Sequence, residues 1–483
     1  MKFKFLSKTV IILLTTVLFF NCSSKLEDVP ADLEINDFVW KGLNAYYLWQ
    51  SSIADLADTR FSNQNELNGF LSGYATPENL FENLLNRPAD RFSWIVDDYI
   101  ALENSFQGIT LNNGMEFKLF RNESNQSNVH GIVYYIVPNS DADTKGVLRG
   151  MVFNAIDGNQ ITESNYRSLL FGTNTNYSIN LADFNAGNPI SNGNSISLTK
   201  SELQENPVSI VKTFDEGAHK IGYLLYNQFA SSYDGELNTA FGDFKANGIT
   251  DLIIDLRYNG GGSVRTATYL GSMIATKSNE TLFSQQVWNE KVMEAIDASN
   301  FLNYFTDEID NGTVNEPINS LGLQSVYFIV TEDTASASEL VINALSAYID
   351  VNLVGTQTVG KQVGSITLYD SDNLQRTGTN LNPNHAYAMQ PIVMEIKNSD
   401  GENNPEGYLP EIELPEDFGQ ISGDVNIGVL GEKSDPLLDR TISYITNGAK
   451  FSGKAVNFNK KEQITNSKLQ RPFANEMYVD FKK

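Results

Sequence analysis

A chain of 483 residues is too long for one compact core, and its 41% hydrophobic and 11% aromatic residues suffice to fold most of it into several domains. The formal net charge of -25 excludes the basic footprint that nucleic-acid binding requires and argues against a polybasic membrane patch. Cys22 is the single cysteine, so no internal disulfide can form.

In chain order, Lys2, Lys4 and Lys8 precede an apolar run over 10–20, VIILLTTVLFF. That length suits a signal peptide and is too short to span a bilayer. The next stretch, FFNCSS, resembles the lipobox of a bacterial lipoprotein, with Asn21 larger than the usual residue before the cysteine. The resemblance implies a signal over 1–22 and a lipidated Cys22. Ser23 beside the cysteine favours the outer membrane. Residues 23–34 read as a polar tether. Residues 35–49, INDFVWKGLNAYYLW, carry apolar side chains at spacings of three and four, the pattern of an amphipathic helix. Thr76-Pro77-Glu78 reads as a second helix start. Residues 35–103 are therefore expected to form a small helical domain.

The pattern then changes to strands. GITLNNGMEFKLF (108–120) and VHGIVYYIV (129–137) are followed by KGVLRGMVFNAIDGNQI (145–161) and a helical piece near Tyr166 to Leu170. The basic-apolar-Gly turn, strand and Asp-Gly turn around Gly146 to Ile161 resemble the second half of a PDZ domain, giving a PDZ-like β-rich domain over 104–188. Such domains take the free carboxylate end of a peptide as an added strand. Residues 186–206, rich in Asn, Gly and Ser, read as a linker or hairpin.

From 205 to 448, buried strands alternate with helices. IGYLLYNQF (221–229), DLIIDLRYNGGG (251–262), SVYFIV (325–330) and VNLVG (351–355) are strands, with helices expected over 234–246, 265–276 and 338–349. This alternation gives an α/β core with parallel strands. Ligands of parallel sheets sit beyond the carboxyl ends of the strands. Three loops meet that description, and each carries a chemical part. Ser336 opens a helix, whose positive end favours a developing alkoxide. Lys361 follows the next strand, one helix out and one strand back. The glycines after Asn259 offer amides for an oxyanion. Ser-Lys is a known variant of the serine triad. A lysine base needs burial or a nearby cation to lower its pKa from about 10.4. Val359, Val363 and Ile366 are apolar enough to supply burial.

His130, His219 and His385 are the competing bases. His130 falls in the PDZ-like segment, His219 at the opposite end of its strand, and His385 in a loop with no evident partner. No GxSxG, HExxH or Cys/His cluster occurs, so neither a metal nor a cofactor is expected.

TASASE (334–339), with Gly360-Lys361 following, resembles the motif of the C-terminal-processing, or tail-specific, serine peptidases, which have a lysine 25 positions beyond the serine. DLRYNGGG resembles their DLRxNxGG loop, and GYLPEIEL (407–414) their closing segment, with Glu411 in place of Asp. The resemblance implies a ClpP/crotonase-like catalytic core and the lipoprotein type found in Bacteroidetes. It makes Ser336 the nucleophile and Lys361 the base, with Gly261, Gly262 and Ala337 forming the oxyanion hole. Glu339 matches a family acid near the site, and stabilising the helix N-terminus is its alternative role. Ser338 can cap that helix, while Asp255 and Arg257 read as structural. Thr334 replaces the first serine of the motif. Ser365 stands where many members carry a glutamine that orients the lysine. The implied activity is cleavage of proteins near apolar C-termini through an acyl-enzyme, with the PDZ-like domain gripping the tail and Cys22 anchoring the enzyme. The alternative is a tail-binding lipoprotein on the same scaffold that does not cut. Residues 449–483 form a C-terminal extension with no assigned role, a docking segment being one reading.

Overall fold

The computed structural model describes residues 29–184, 188–448, 463–471 and 474–479. The basic start, the apolar run, FFNCSS and Cys22 lie outside the described residues. The first helices are α1 (Glu34–Tyr46), α2 (Gln64–Leu71) and α3 (Pro77–Asn83). The Asn63 side chain accepts the Glu66 amide at 3.0 Å to start α2. Thr76 Oγ1 accepts the Asn79 amide at 3.2 Å, with Pro77 in the first turn of α3. Phe38, Leu43, Leu71 and Phe81 bury the apolar stripe, but against Ile366, Leu368 and Met389, far along the chain. Strand Trp94–Val96 also pairs with Ala388–Gln390. The helical region is therefore a layer on the core and not a separate ball.

The β-rich unit contains β1 (Met115–Arg121), β2 (Val129–Ile136), β3 (Val152–Ile156), β4 (Asn176–Asp183) and β5 (Ile190–Thr199), antiparallel in that order. A short helix, Tyr166–Leu170, sits where the sequence places one. Phe117, Val133, Phe153 and Ile179 fill its core. The polar stretch after Asp183 is the second arm of a hairpin, with Ile179 opposite Ile196 and Tyr177 opposite Leu198. The unit thus runs past the expected boundary at 188.

The core is built from β6 (Val208–Glu216), β7 (His219–Tyr226), α4 (Asp234–Asn247), β8 (Asp251–Asp255), β9 (Gly262–Ser263), α5 (Val264–Ile274), β10 (Leu282–Trp288), β11 (Ser325–Val330), α6 (Ala337–Ser346), β12 (Asp350–Gly355), β13 (Val363–Ser365), β14 (Ile392–Lys397), β15 (Ile412–Glu413) and α7 (Pro436–Asn447). The main sheet has the order β6-β7-β8-β11-β12-β15 and is parallel from β7 to β15. Leu224, Ile254 and Phe328 face Leu237, Phe241, Leu270 and Val341 of α4, α5 and α6. Tyr223, Ile253 and Ile329 face Leu437, Leu438 and Ile442 of α7. Burial on both faces explains the unbroken apolar runs of these strands.

At the carboxyl end of β8, the fully buried Arg257 guanidinium pairs with Asp255 at 2.7 Å, Asp435 at 2.8 Å and Glu416 at 3.3 Å. Glu416 also pairs with Arg149 of the β-rich unit at 2.6 Å. Asp435 caps α7 as well, accepting the Leu437 amide at 3.0 Å. This network supports the expectation that Asp255 and Arg257 are structural.

The described parts of the extension are woven into both units. β16 (Gln463–Asn466) lies antiparallel to β1. β17 (Met477–Tyr478) lies between β9 and β13, parallel to both, in a second sheet that continues through β14 and β10. Among the described residues no helix is long and apolar enough to cross a membrane.

Removing the Arg257 side chain leaves three buried carboxylates short of a cation. Arg257→Ala is expected to lose about 3–5 kcal/mol of stability in urea unfolding. Arg376→Ala, whose partner Glu103 lies at the surface, should lose less than about 1 kcal/mol. Equal losses would contradict the structural reading of Arg257.

Candidate active site

The loops after β8, β11 and β12 meet on one rim, and backbone groups join them. The Ala335 amide donates to the Asn259 carbonyl at 3.1 Å, and the Val359 amide to the Thr334 carbonyl at 3.1 Å. Thr334 Oγ1 donates to the Leu256 carbonyl at 2.8 Å and Ser338 Oγ to the Asn259 carbonyl at 3.0 Å. Thr334 and Ser338 therefore brace the loops, and Ser338 does not cap α6.

Ser336 precedes α6 with φ of 66° and ψ of -117°, a strained conformation for a residue with a side chain. It is buried, and its Oγ has no hydrogen-bond partner among the described residues. Gly261 lies against it. A Cβ added there would come within 2.6 Å of Ser336 Cβ and 2.9 Å of the Ala337 nitrogen, and its φ of +114° also favours glycine.

Glu339 does the helix capping. One of its oxygens accepts the Ser336 amide at 2.8 Å and the Lys361 amide at 2.8 Å. The other accepts the Gly360 amide at 2.7 Å and the Thr358 hydroxyl. A single carboxylate thus both caps α6 and pins the serine loop to the lysine loop. Burial pushes its carboxyl above the usual range, and the four donors oppose that shift.

Lys361 is buried, and desolvation lowers its pKa from the ordinary lysine value; the Glu476 carboxylate works in the opposite direction. Its Nζ donates to the Asn475 carbonyl, faces Glu476 Oε1 at 3.4 Å and lies 4.8 Å from the Phe92 ring centroid. The unpartnered Ser336 hydroxyl is not among its bonds. Ser365, at the position of the family glutamine, does not bond the amine directly. Its Oγ bonds to Glu476 Oε1 and accepts from Gln390 Nε2 at 3.1 Å, so its link to Lys361 passes through Glu476. Trp94 Nε1 donates to the other Glu476 oxygen at 3.2 Å.

Among the expected oxyanion groups, the Gly261 amide donates to Asn259 Oδ1 at 2.9 Å, and the Gly262 amide to the Glu476 carbonyl at 2.6 Å. The Ala337 amide lies beside Gly261. Gly262 is therefore the glycine whose amide holds a peptide carbonyl.

Asn475 and Glu476 were not legible as site residues. The hint in the sequence is an acid directly before the apolar Met477-Tyr478-Val479. Phe92 and Trp94 carried no signal beyond their aromaticity. His130 bonds Asn122 at 2.7 Å and His219 bonds Asp251 at 2.8 Å. His385, which the sequence left without a partner, bonds Asp370 at 3.0 Å. Among the described residues no group of three or more His, Cys, Asp or Glu could hold a metal ion.

A family model described as peptidase family S41 matches residues 220–390, and a peptidase S41 N-terminal domain model matches 34–94. The chain is 29% identical over 172 residues to a probable CtpA-like serine protease of Staphylococcus saprophyticus, covering 35% of this chain and 31% of that protein. It is 27% identical over 252 residues to carboxyl-terminal-processing peptidase 3, chloroplastic, of Arabidopsis thaliana, covering 49% and 44%. The matches thus span less than half the length of these curated relatives. A solved structure of a putative S41 protease from Bacteroides fragilis superposes with a TM-score of 0.64 at 21% identity, covering 85% of this chain and 97% of that one, which shows a shared fold.

Glu339→Ala leaves four donors facing a void. It is expected to lose about 3 kcal/mol of stability, against about 1 kcal/mol for Thr358→Ala, which removes one donor. Urea unfolding of the two variants checks this, and equal losses would contradict the bridging role.

Proposed function

The chain belongs to peptidase family S41, and from that premise we propose that it is a serine endopeptidase cutting proteins near their C-termini through Ser336 and Lys361. One observation carries the reading: Glu339 bonds the backbones of both residues, so a buried hydroxyl and a desolvated amine share one site. In this mechanism Ser336 Oγ attacks the scissile carbonyl while Lys361 Nζ takes its proton. The Gly262 and Ala337 amides receive the oxyanion. The C–N bond breaks, Lys361 returns the proton to the leaving amine, and water then hydrolyses the acyl ester on Ser336.

The β-rich unit fits a PDZ-like role because its β1 edge accepts an added antiparallel strand, the mode by which such domains take a peptide. Apolar tails as substrates, and anchoring at the outer membrane through Cys22, complete the proposal. The latter rests on FFNCSS alone. The rival reading, tail binding without cleavage, draws support from the engagement of the Lys361 amine by the Asn475 carbonyl.

Incubating an unfolded protein that ends in apolar residues with the enzyme, Ser336→Ala and Lys361→Ala separates the readings. Each substitution is expected to lower cleavage by about six orders of magnitude. Equal cleavage by all three proteins would overturn the site. Absence of cleavage by any, with tail binding retained, would favour the binder.

The pH dependence has a definite sign. The base is the neutral amine, so the rate should rise with pH, with a midpoint below the ordinary lysine value of about 10.4. Glu476 faces the amine, and its charge, with those of Asp90 and Glu339, raises the pKa against desolvation. Glu476→Gln should therefore move the midpoint further down. A midpoint at or above the ordinary value would contradict lysine as the base.

A further inference from the structure

The segment joining β16 to β17 touches the groups that the proposed chemistry needs free. The Gly262 amide is taken by the Glu476 carbonyl, and the Lys361 amine by the Asn475 carbonyl and the Glu476 carboxylate. The tail backbone also packs onto the glycine loop without space for side chains. A Cβ on Gly260 would collide with the Ala474 carbonyl, and one on Gly261 with the Glu476 carbonyl.

The pairing has the form of peptide capture. β9 and β13 are separate short strands whose facing edges are bridged by β17, in parallel with each. A gap one strand wide, beside a nucleophile, is the shape that takes an extended substrate. The same segment first adds to the β1 edge of the β-rich unit through β16. Between the two strands, Arg471 and Ser467 bond the buried Glu116 of β1, and Lys468 Nζ donates to the Tyr258 carbonyl at 3.1 Å. One piece of chain therefore occupies both a sheet edge able to receive a peptide and the groove at the rim.

We infer that the chain's own C-terminal segment is the resident occupant of the substrate groove, holding the enzyme inactive until a substrate strand displaces it. This deepens the peptidase reading and rests on it. The occupant also describes the substrate class. Glu476 meets Lys361, Ser365 and Trp94, and Met477 is buried in the core cluster with Leu340 and Ile396. A competing peptide is extended, with an acidic residue followed by a large apolar one. Tethering gives the tail an effective concentration in the millimolar range, enough to keep weaker strands out.

The test uses the full chain with Glu476→Lys, which sets a cation against Lys361, and with Glu476→Gln, which keeps the shape but removes the charge and one acceptor oxygen. Circular dichroism melting checks that both fold. In the Ser336→Ala background, a fluorescent peptide of residues 463–479 should bind the Glu476→Lys protein about tenfold or more tighter than the protein with its native tail. With Ser336 intact, peptidase rates should rise from the native chain through Glu476→Gln to Glu476→Lys, by about tenfold across the series. Equal peptide affinities, or rates that fall along that order, would overturn the inference, the latter making Glu476 a positioning residue. The two readings fail separately. A peptide-affinity difference without cleavage by any variant would leave the tail occupancy standing and refute the peptidase. Full cleavage by the native chain with no affinity difference would do the reverse.

Discussion

The Glu339 carboxylate is the point on which the rim depends. Its two oxygens accept from Ser336, Thr358, Gly360 and Lys361, residues on two loops that a helix and a strand separate in the chain. Without it, those donors would be buried and unsatisfied, and the Val359 amide on the Thr334 carbonyl would be left to join the two loops. The motif acid three residues after the serine is thus explained by geometry. At that position on α6 its carboxylate reaches back to the Ser336 amide and across to the lysine loop.

The sheet beneath makes this possible. Parallel pairing brings the carboxyl ends of β8, β11 and β12 to one edge. Arg257, held by three carboxylates, fixes the turn from which the glycine loop departs. The positive φ at Ser336 is then supported on two sides, by Glu339 on its amide and by Gly261 against its Cβ. Such strain persists only where the surroundings over-determine it. The Ser336 hydroxyl has no hydrogen-bond partner among the described residues, and the Lys361 amine donates to the Asn475 carbonyl.

The core was legible in the sequence because its strands are buried on both faces and read as continuous apolar runs. The serine-to-lysine spacing was legible because it counts one helix and one strand. Other parts were hidden for physical reasons. β5 is exposed along most of its length, with Leu198 its buried residue, so it shows no alternation and reads as a linker. β17 is two residues long and pairs with strands more than a hundred positions away, which no local pattern records. Ser365 is shorter than the glutamine it replaces, and the link from it to the lysine passes through Glu476, distant in sequence. The helical region showed its stripe but not its partner, since Leu368 and Met389 complete its core.

In the proposed mechanism one hydroxyl, Ser336, is made nucleophilic by one amine, Lys361. Prolonged treatment with a serine-reactive fluorophosphonate, followed by peptide mapping in a mass spectrometer, tests this most directly. A single adduct is expected, on Ser336, forming far more slowly in Lys361→Ala. An adduct on a different serine, or one that forms on Ser336 at the same rate without the lysine, would contradict it.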